Sequence, residues 1–283
     1  MEGGRCILSV IENILYGLIS GLTEFLPVSG SGHQALLHHL FGVNTRVSLQ
    51  DLLVHIGVLL SAFVVCRDNI ARLRWEQSTA TTVRRNKSRH MDTQSHYELR
   101  LLKSTIVPML LATIVFNLLL RSEYKLSSLM WLFVLNGVIL LIAEHMRQGN
   151  RDAKTMTGFD GILIGITTAA SALPGLSSTG MTLSYTTARG TDIQKSTNWV
   201  ILLVIPAMVF AIFGDIFYIF GNGFGAVSFL MILGSVLAGV SAFCGGYVGI
   251  SVLRLMVTNT SVFQFSYYSF GLALLSFMLY LFT

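Results

Sequence analysis

Long apolar stretches alternate with short polar ones along the whole 283-residue chain. A helix that crosses a bilayer needs about 20 predominantly apolar residues. Six stretches approach that length, at 49–66, 105–120 (with 99 as an alternative start), 128–146, 199–220, 224–248 and 262–282. Two further apolar segments, about 7–40 and 158–190, are interrupted near their middles. The first carries Leu26-Pro27-Val28-Ser29-Gly30-Ser31-Gly32 and the second Leu173-Pro174-Gly175-Leu176-Ser177-Ser178-Thr179-Gly180. Each interruption is a proline followed by Gly, Ser and Thr, which end one helix and let another begin.

Composition turns this pattern into a class. Hydrophobic residues make up 53% of the chain and charged residues 12%, about half the charge of a soluble domain, and mean hydropathy is +0.66. A disordered chain, a soluble enzyme of ordinary composition and a nucleic-acid binder are excluded, so no nucleic-acid partner is expected. The net charge of +5 is local, because nine of the 19 Lys and Arg fall between Arg67 and Lys103. Cys6, Cys66 and Cys244 are scattered in or beside apolar runs, which suits small buried hydrophobes and neither a disulfide framework nor zinc. The N-terminus does not read as a signal peptide, since Glu12 and Glu24 interrupt the would-be apolar region.

The expected fold is an all-α integral membrane protein, one membrane domain over 1–283. Six transmembrane helices are joined by two re-entrant helix–loop–helix hairpins, because non-helical backbone within a bilayer must be buried in protein or line a wet cavity. Paired broken segments in two halves mark an inverted-topology repeat with a site near the midplane. The halves are 1–147 and 158–283, each with one hairpin and three spans. The alternative is that each broken segment is an ordinary kinked span. With both hairpins returning to their own side, fifteen Lys and Arg lie on one side and four on the other, which places the first set in the cytoplasm and both termini outside. Residues 67–103 then form a basic cytoplasmic loop, partly helical.

Ionisable groups inside spans are costly and ask for a reason. Glu24 and His33 flank the first Gly/Ser turn. Asp51 and His55 lie four residues apart, on one helical face. Glu144 and His145 lie near a span end and snorkel, while Glu12 and Asp215 read as satisfied structural groups. Gly30 and Gly32 allow left-handed backbone and close approach to a ligand, and Ser31 with Gln34 fits a capping box for the returning arm. Such a turn presents free amides at a helix N-terminus, an anion site. Serine, imidazole and carboxylate could there supply nucleophile, base and cation ligand. A tight helix–helix turn whose small residues only permit close packing explains the same spacing.

Gly21-Leu22-Thr23-Glu24-Phe25-Leu26-Pro27-Val28-Ser29 with Gly32-His33 resembles the first motif of the bacterial undecaprenyl-diphosphatases, the bacitracin-resistance-type membrane phosphatases. Pro174-Gly175-Leu176-Ser177 with Gly180-Met181-Thr182 is similar to their second motif, and Asp51 with His55-Ile56-Gly57 also fits. The resemblance covers essentially the full chain. It implies the six-span, two-hairpin inverted repeat and removal of the terminal phosphate from a C55 polyprenyl diphosphate. It also implies a divalent cation, Mg²⁺ or Ca²⁺, on the outer face of the bacterial plasma membrane. Catalytic candidates are Ser29, Ser31, His33 and Glu24, with Glu24 also the cation ligand. Phosphate-binding candidates are Gly30, Gly32, Ser177, Ser178, Thr179, Gly180 and Thr182. The partners are a polyprenyl phosphate or diphosphate lipid and the bilayer, with a homodimer as a further candidate.

The chain departs from the family at the residues expected to touch phosphate or metal. Its first glutamate is Ser20 here, its second serine is Gly30 with Ser31 in place of the threonine, its arginine is Ser178, and an upstream glutamine is Thr168. A bidentate arginine is hard to replace at a phosphate, so Arg189, Arg46 or the metal would have to take its role. The leading expectation is a polyprenyl-diphosphate phosphatase that recycles the envelope lipid carrier. The alternative is a degenerate relative that binds or translocates such a lipid, and a third reading is a structural partner of envelope-synthesis enzymes.

Overall fold

The computed structural model of the chain describes residues 8–42, 48–83, 93–119, 125–146, 149–222 and 228–282. The described residues hold ten α-helices and three short 3₁₀ turns, with no strand. The helices are α1 (Val10–Phe25), α2 (Gly30–Leu40), α3 (Ser48–Val83), α4 (Thr93–Leu119), α5 (Leu126–Glu144), α6 (Gly158–Thr168), α7 (Ser178–Ala188), α8 (Ile193–Asn222), α9 (Phe229–Asn259) and α10 (Phe265–Phe282). Six apolar spans lie on α3, α4, α5, α8, α9 and α10, at Leu49–Trp75, Ser95–Asn117, Leu126–Glu144, Ile193–Gly221, Phe229–Asn259 and Val262–Phe282. The two broken segments are the helix pairs α1/α2 and α6/α7.

Both broken segments start in the same way. Ser9 accepts the Glu12 amide while the Glu12 carboxylate accepts the Ser9 amide, and Thr157 and Asp160 make the same box ahead of α6. Reciprocal capping satisfies donors that a helix start would otherwise leave open. Glu12 therefore has the structural role expected of it.

The basic segment between Arg67 and Lys103 is helix wherever it is described. The span of α3 continues as helix to Val83 and α4 begins at Thr93, so the helical part of this segment takes in all of its described residues. The Arg72 guanidinium donates to Glu98 at 2.6 Å and to Ser95 at 2.8 Å, and so ties α3 to α4. A charged pair at the mouth of two helices lets the helical pattern run on past the apolar stretch. Residues 84–92, together with Arg5, Arg46 and Arg121, lie outside the described residues.

Packing relies on small residues. A Cβ at Gly17 or Gly21 of α1 would collide with the carbonyls of Ala238 and Ala242, and one at Gly245 or Gly249 with those of Leu18 and Leu22. Small residues four apart let α1 and α9 approach backbone to backbone, the means of association left to helices that already lie among apolar neighbours. The core formed behind them holds Tyr16, Phe25, Val54, Val58, Ile201 and Leu253. The outer faces are apolar instead of polar: Phe217 and Phe220 are 82% and 86% exposed. A water-soluble chain would not display so large an apolar surface.

Candidate functional site

The two broken segments meet at their loops. Helix α1 stops at Phe25, Leu26 is extended, and Ser29 takes a left-handed φ of 67° as the N-cap of α2. In the second segment a 3₁₀ turn, Ala169–Ala172, follows α6, Gly175 has φ 110°, and Ser177 caps α7. The Ser29 hydroxyl oxygen accepts the Gly32 amide at 3.1 Å within its own loop and the Gly175 amide at 2.9 Å across to the other. Ser177 returns the favour: its oxygen accepts the Gly180 amide at 3.1 Å, and its hydroxyl donates to the Leu26 carbonyl at 3.2 Å.

Asn136 of α5 clips the two loops from the side. Its Nδ2 donates to the Pro27 carbonyl at 3.2 Å and to Ser269 Oγ at 2.9 Å, while its Oδ1 accepts the Ser177 amide at 2.9 Å. Two further bonds cross between segments, from Ser31 Oγ to the Ser171 carbonyl at 2.8 Å and from Thr179 Oγ1 to the Glu24 carbonyl at 3.4 Å. A buried backbone group must find a partner, and here each irregular loop supplies partners for the other. The anticipated capping box at Ser31 and Gln34 is displaced by Ser29. Gly30 and Gly32 are helical, and the left-handed residue is Ser29. Glycine suits 32 because a Cβ there would press on Phe133 and the Gly175 amide, and at 30 a Cβ would require the Glu24 carboxylate, which lies over that space, to turn aside.

Beside the joined loops lies a cavity of about 440 Å³. Its polar lining is Glu24, Ser31, Gln34, His55, Asp215, the hydroxyls of Thr168 and Ser171, and, on α4, Thr113 and Asn117. Apolar side chains of α4 and α8, among them Met109, Ile114, Met208 and Phe210, form the walls. Each of those two helices also carries an internal proline, Pro108 and Pro206. No Lys or Arg lines the cavity among the described residues.

Of the residues singled out from sequence, Glu24 and Ser31 reach this cavity. Ser29, 1% exposed, is engaged between the loops, as are Ser177 and Gly180. Ser178 is buried at the start of α7, and Thr182 packs its hydroxyl against those of Thr167 and Thr168. His33 does not line the cavity. Its Nδ1 donates to the Ser29 carbonyl at 2.8 Å, its Nε2 meets the Tyr268 hydroxyl at 2.9 Å, and the ring stacks on Tyr268 at 5.8 Å.

Sequence reasoning missed Asn136 and Tyr268. Asn136 did carry a signal, as a lone amide inside an apolar span. Asp215, read as a satisfied polar group, is 1% exposed and paired with His55, with Nδ1–Oδ2 at 2.6 Å, and it lines the cavity. Asp51, on the same helical face as His55, accepts the Tyr16 hydroxyl at 2.8 Å. Arg189 is committed elsewhere, donating to Asp160 at 2.7 Å near the mouth of the second segment. Burial alone would raise the Asp160 carboxyl. The Thr157 amide, the Arg189 guanidinium and the hydroxyls of Thr157 and Tyr185 outweigh that and hold it well below the usual carboxylate range.

No group of three or more His, Cys, Asp or Glu is arranged to hold a metal among the described residues. A single open carboxylate, Glu24, suits an ion whose remaining ligands are phosphate oxygens and water, the usual habit of Mg²⁺, and does not suit an all-protein cage.

Six apolar spans around two interlocked loops and an internal polar cavity define a multi-pass membrane protein with a site enclosed among its helices. The chain belongs to the family described as bacitracin resistance protein BacA, whose family model matches residues 13–275. It is 30% identical over 265 residues to an undecaprenyl-diphosphatase of Alkaliphilus metalliredigens, covering 93% of this chain and 95% of that one. It is 30% identical over 277 residues to undecaprenyl-diphosphatase 3 of Bacillus cereus, covering 95% and 96%. An undecaprenyl-diphosphatase of Carboxydothermus hydrogenoformans is 27% identical over 257 residues, covering 91% and 92%.

Proposed function

We propose that the chain is a hydrolase that removes the terminal phosphate of undecaprenyl diphosphate, returning the lipid carrier as its monophosphate for envelope and peptidoglycan synthesis. The observation that carries this reading is the cavity itself, with carboxylate, hydroxyl and imidazole groups on one side and apolar walls on the other. The walls suit the first units of a prenyl tail and the polar groups suit its headgroup. Family membership and the names of the relatives support the same chemistry.

In this reading the start of α2 binds the terminal phosphate. The Gly32 amide is taken by Ser29, whereas the Gly30 and Ser31 amides have no partner among the described residues and add to the favourable end of the helix dipole. Ser31, whose hydroxyl donates to the Ser171 carbonyl here, would contact phosphate by turning that hydroxyl into the cavity it lines. Ser29 and His33 hold the loop in shape instead of reacting. Glu24 would bind a divalent cation, Mg²⁺ or Ca²⁺, which when bound would neutralise the diphosphate charge that no arginine meets among the described residues. The α1/α2 and α6/α7 pairs are read as re-entrant hairpins of an inverted repeat. The basic ends of α3 and α4 are read as facing the cytoplasm of a bacterial inner membrane, which puts the mouth of α1/α2 outside. A homodimer of this unit remains part of the proposal.

The test is phosphate release from undecaprenyl diphosphate by the purified chain in detergent with Mg²⁺ or Ca²⁺. Release that stops on chelation and on Glu24→Gln is the expected result. Binding of the lipid with no release above a blank preparation overturns the enzyme reading and favours a carrier that binds or moves the lipid.

A further inference from the structure

His55 and Asp215 sit on different helices, α3 and α8, in opposite halves of the chain, and meet on the cavity. Because a carboxylate can only accept, Nδ1 carries a proton in the 2.6 Å contact and donates it to Asp215 Oδ2. In the neutral imidazole Nε2 is then the acceptor. Asp215 is 1% exposed and His55 is 18% exposed, so the carboxylate is locked in place while the ring keeps one side open to the cavity that Glu24 and Ser31 also line. By contrast, both ring nitrogens of His33 are taken. An imidazole held by a buried carboxylate, on a ring that lines the cavity, is the arrangement that orients a base for proton transfer.

We propose that His55 is the general base of the reaction and Asp215 its positioning residue, an assignment that rests on the phosphatase reading above. His55 Nε2 takes a proton from the water that attacks the terminal phosphorus. A new P–O bond forms from that water, the bond from the terminal phosphorus to the bridging oxygen breaks, and its electron pair leaves with the polyprenyl monophosphate. The imidazolium, stabilised by Asp215, passes its proton to the departing monophosphate or to solvent, which restores the base. Inorganic phosphate and the lipid monophosphate are the two products. Direct attack by water accounts for a chain that keeps the scaffold of its relatives while carrying glycine at position 30.

The test uses the full chain in detergent with undecaprenyl diphosphate and Mg²⁺. His55→Asn keeps a donor at the Nδ1 position for Asp215 and removes Nε2. His55→Gln keeps a polar group near Nε2 that cannot take a proton. Both are expected to lower kcat by about 10²- to 10⁴-fold, with KM within about threefold and the thermal midpoint close to that of the unaltered chain. His55→Ala should recover part of its rate with added imidazole. Asp215→Asn should lose less than His55→Asn, since it disturbs the base without removing it. Wild-type turnover in either folded variant, His55→Asn or His55→Gln, overturns the assignment and leaves the phosphatase reading intact. A native chain that releases no phosphate overturns both.

Discussion

The two broken segments are built alike and used differently. In each a capped first helix runs into a proline loop, a serine caps the returning helix, and that serine bonds to the opposite loop. Yet the first segment sends a carboxylate, Glu24, together with Ser31 and Gln34, into the cavity, whereas the second sends only Thr168, Ser171, Ala172 and Pro174. The second is tied down at its mouth by Asp160, Arg189 and Tyr185. One copy of a common device carries the charge, and the other supplies hydroxyls, backbone and a firm anchor. Two loops that satisfy each other's buried groups can diverge in chemistry without losing shape, because every bond that holds them has a backbone group at one end.

Breaking the chemical side of this comparison should give the largest effect. Glu24→Gln is expected to lower phosphate release by at least about 10²-fold, the scale of losing one preorganised electrostatic partner, with little change in thermal midpoint. Thr168→Gln, a polar change on the other segment, should stay within about tenfold of the unaltered rate, the rank order being read from the same assay.

Breaking the clip common to both segments comes next. Asn136→Leu leaves the Ser177 amide and the Pro27 carbonyl unpaired, at about 1–3 kcal/mol for each buried group. The thermal midpoint in detergent should fall markedly, and activity should fall with it because both loops loosen together.

The anchor of the second segment is worth less. Asp160→Asn should destabilise by about 1–2 kcal/mol, discounted because Arg189 is 43% exposed. Its pH dependence has a fixed sign. The folded carboxyl titrates below its unfolded value of 3.8, so its contribution is present above that value and is lost as pH falls toward the depressed one. The difference in thermal midpoint between the two chains should be constant from neutrality to about pH 5 and should shrink only in stronger acid.

The smallest effect sharpens the comparison. Ser29 and Ser177 each make one cap bond and one cross-loop bond, so Ser29→Ala and Ser177→Ala should cost similar amounts, within the range of about 0.5–2 kcal/mol for losing an N-cap. A clearly unequal loss of thermal midpoint would mean that the two cross-loop bonds differ in worth.

The spans and the two interruptions were legible because they depend on local composition: apolar length, and proline followed by small polar residues. The meeting of the loops was legible too, since irregular backbone among apolar helices has nowhere else to find partners. What could not be read was which partner each group finds. A capping box at Ser31 satisfied every local rule, but Pro27 and the extended Leu26 bring the chain into the turn two residues earlier. There Ser29 accepts two amides, which offsets the cost of its left-handed backbone. Asn136 with Pro27, His33 with Tyr268 and His55 with Asp215 are separated by more than a hundred residues, and no helical period connects them. The same gap left Asp215 looking structural and let His33, the motif histidine, look like the open base.

The glutamate folded over Gly30 makes positions 24 and 30 a single unit. Any side chain at 30 evicts the carboxylate, and any change at 24 vacates room that a larger residue at 30 could use. Single substitutions would therefore misreport both sites. The effect of installing serine at 30 should depend on what stands at 24 by more than the few tenths of a kcal/mol seen between independent positions, because the Glu24 carboxylate must turn aside to admit it.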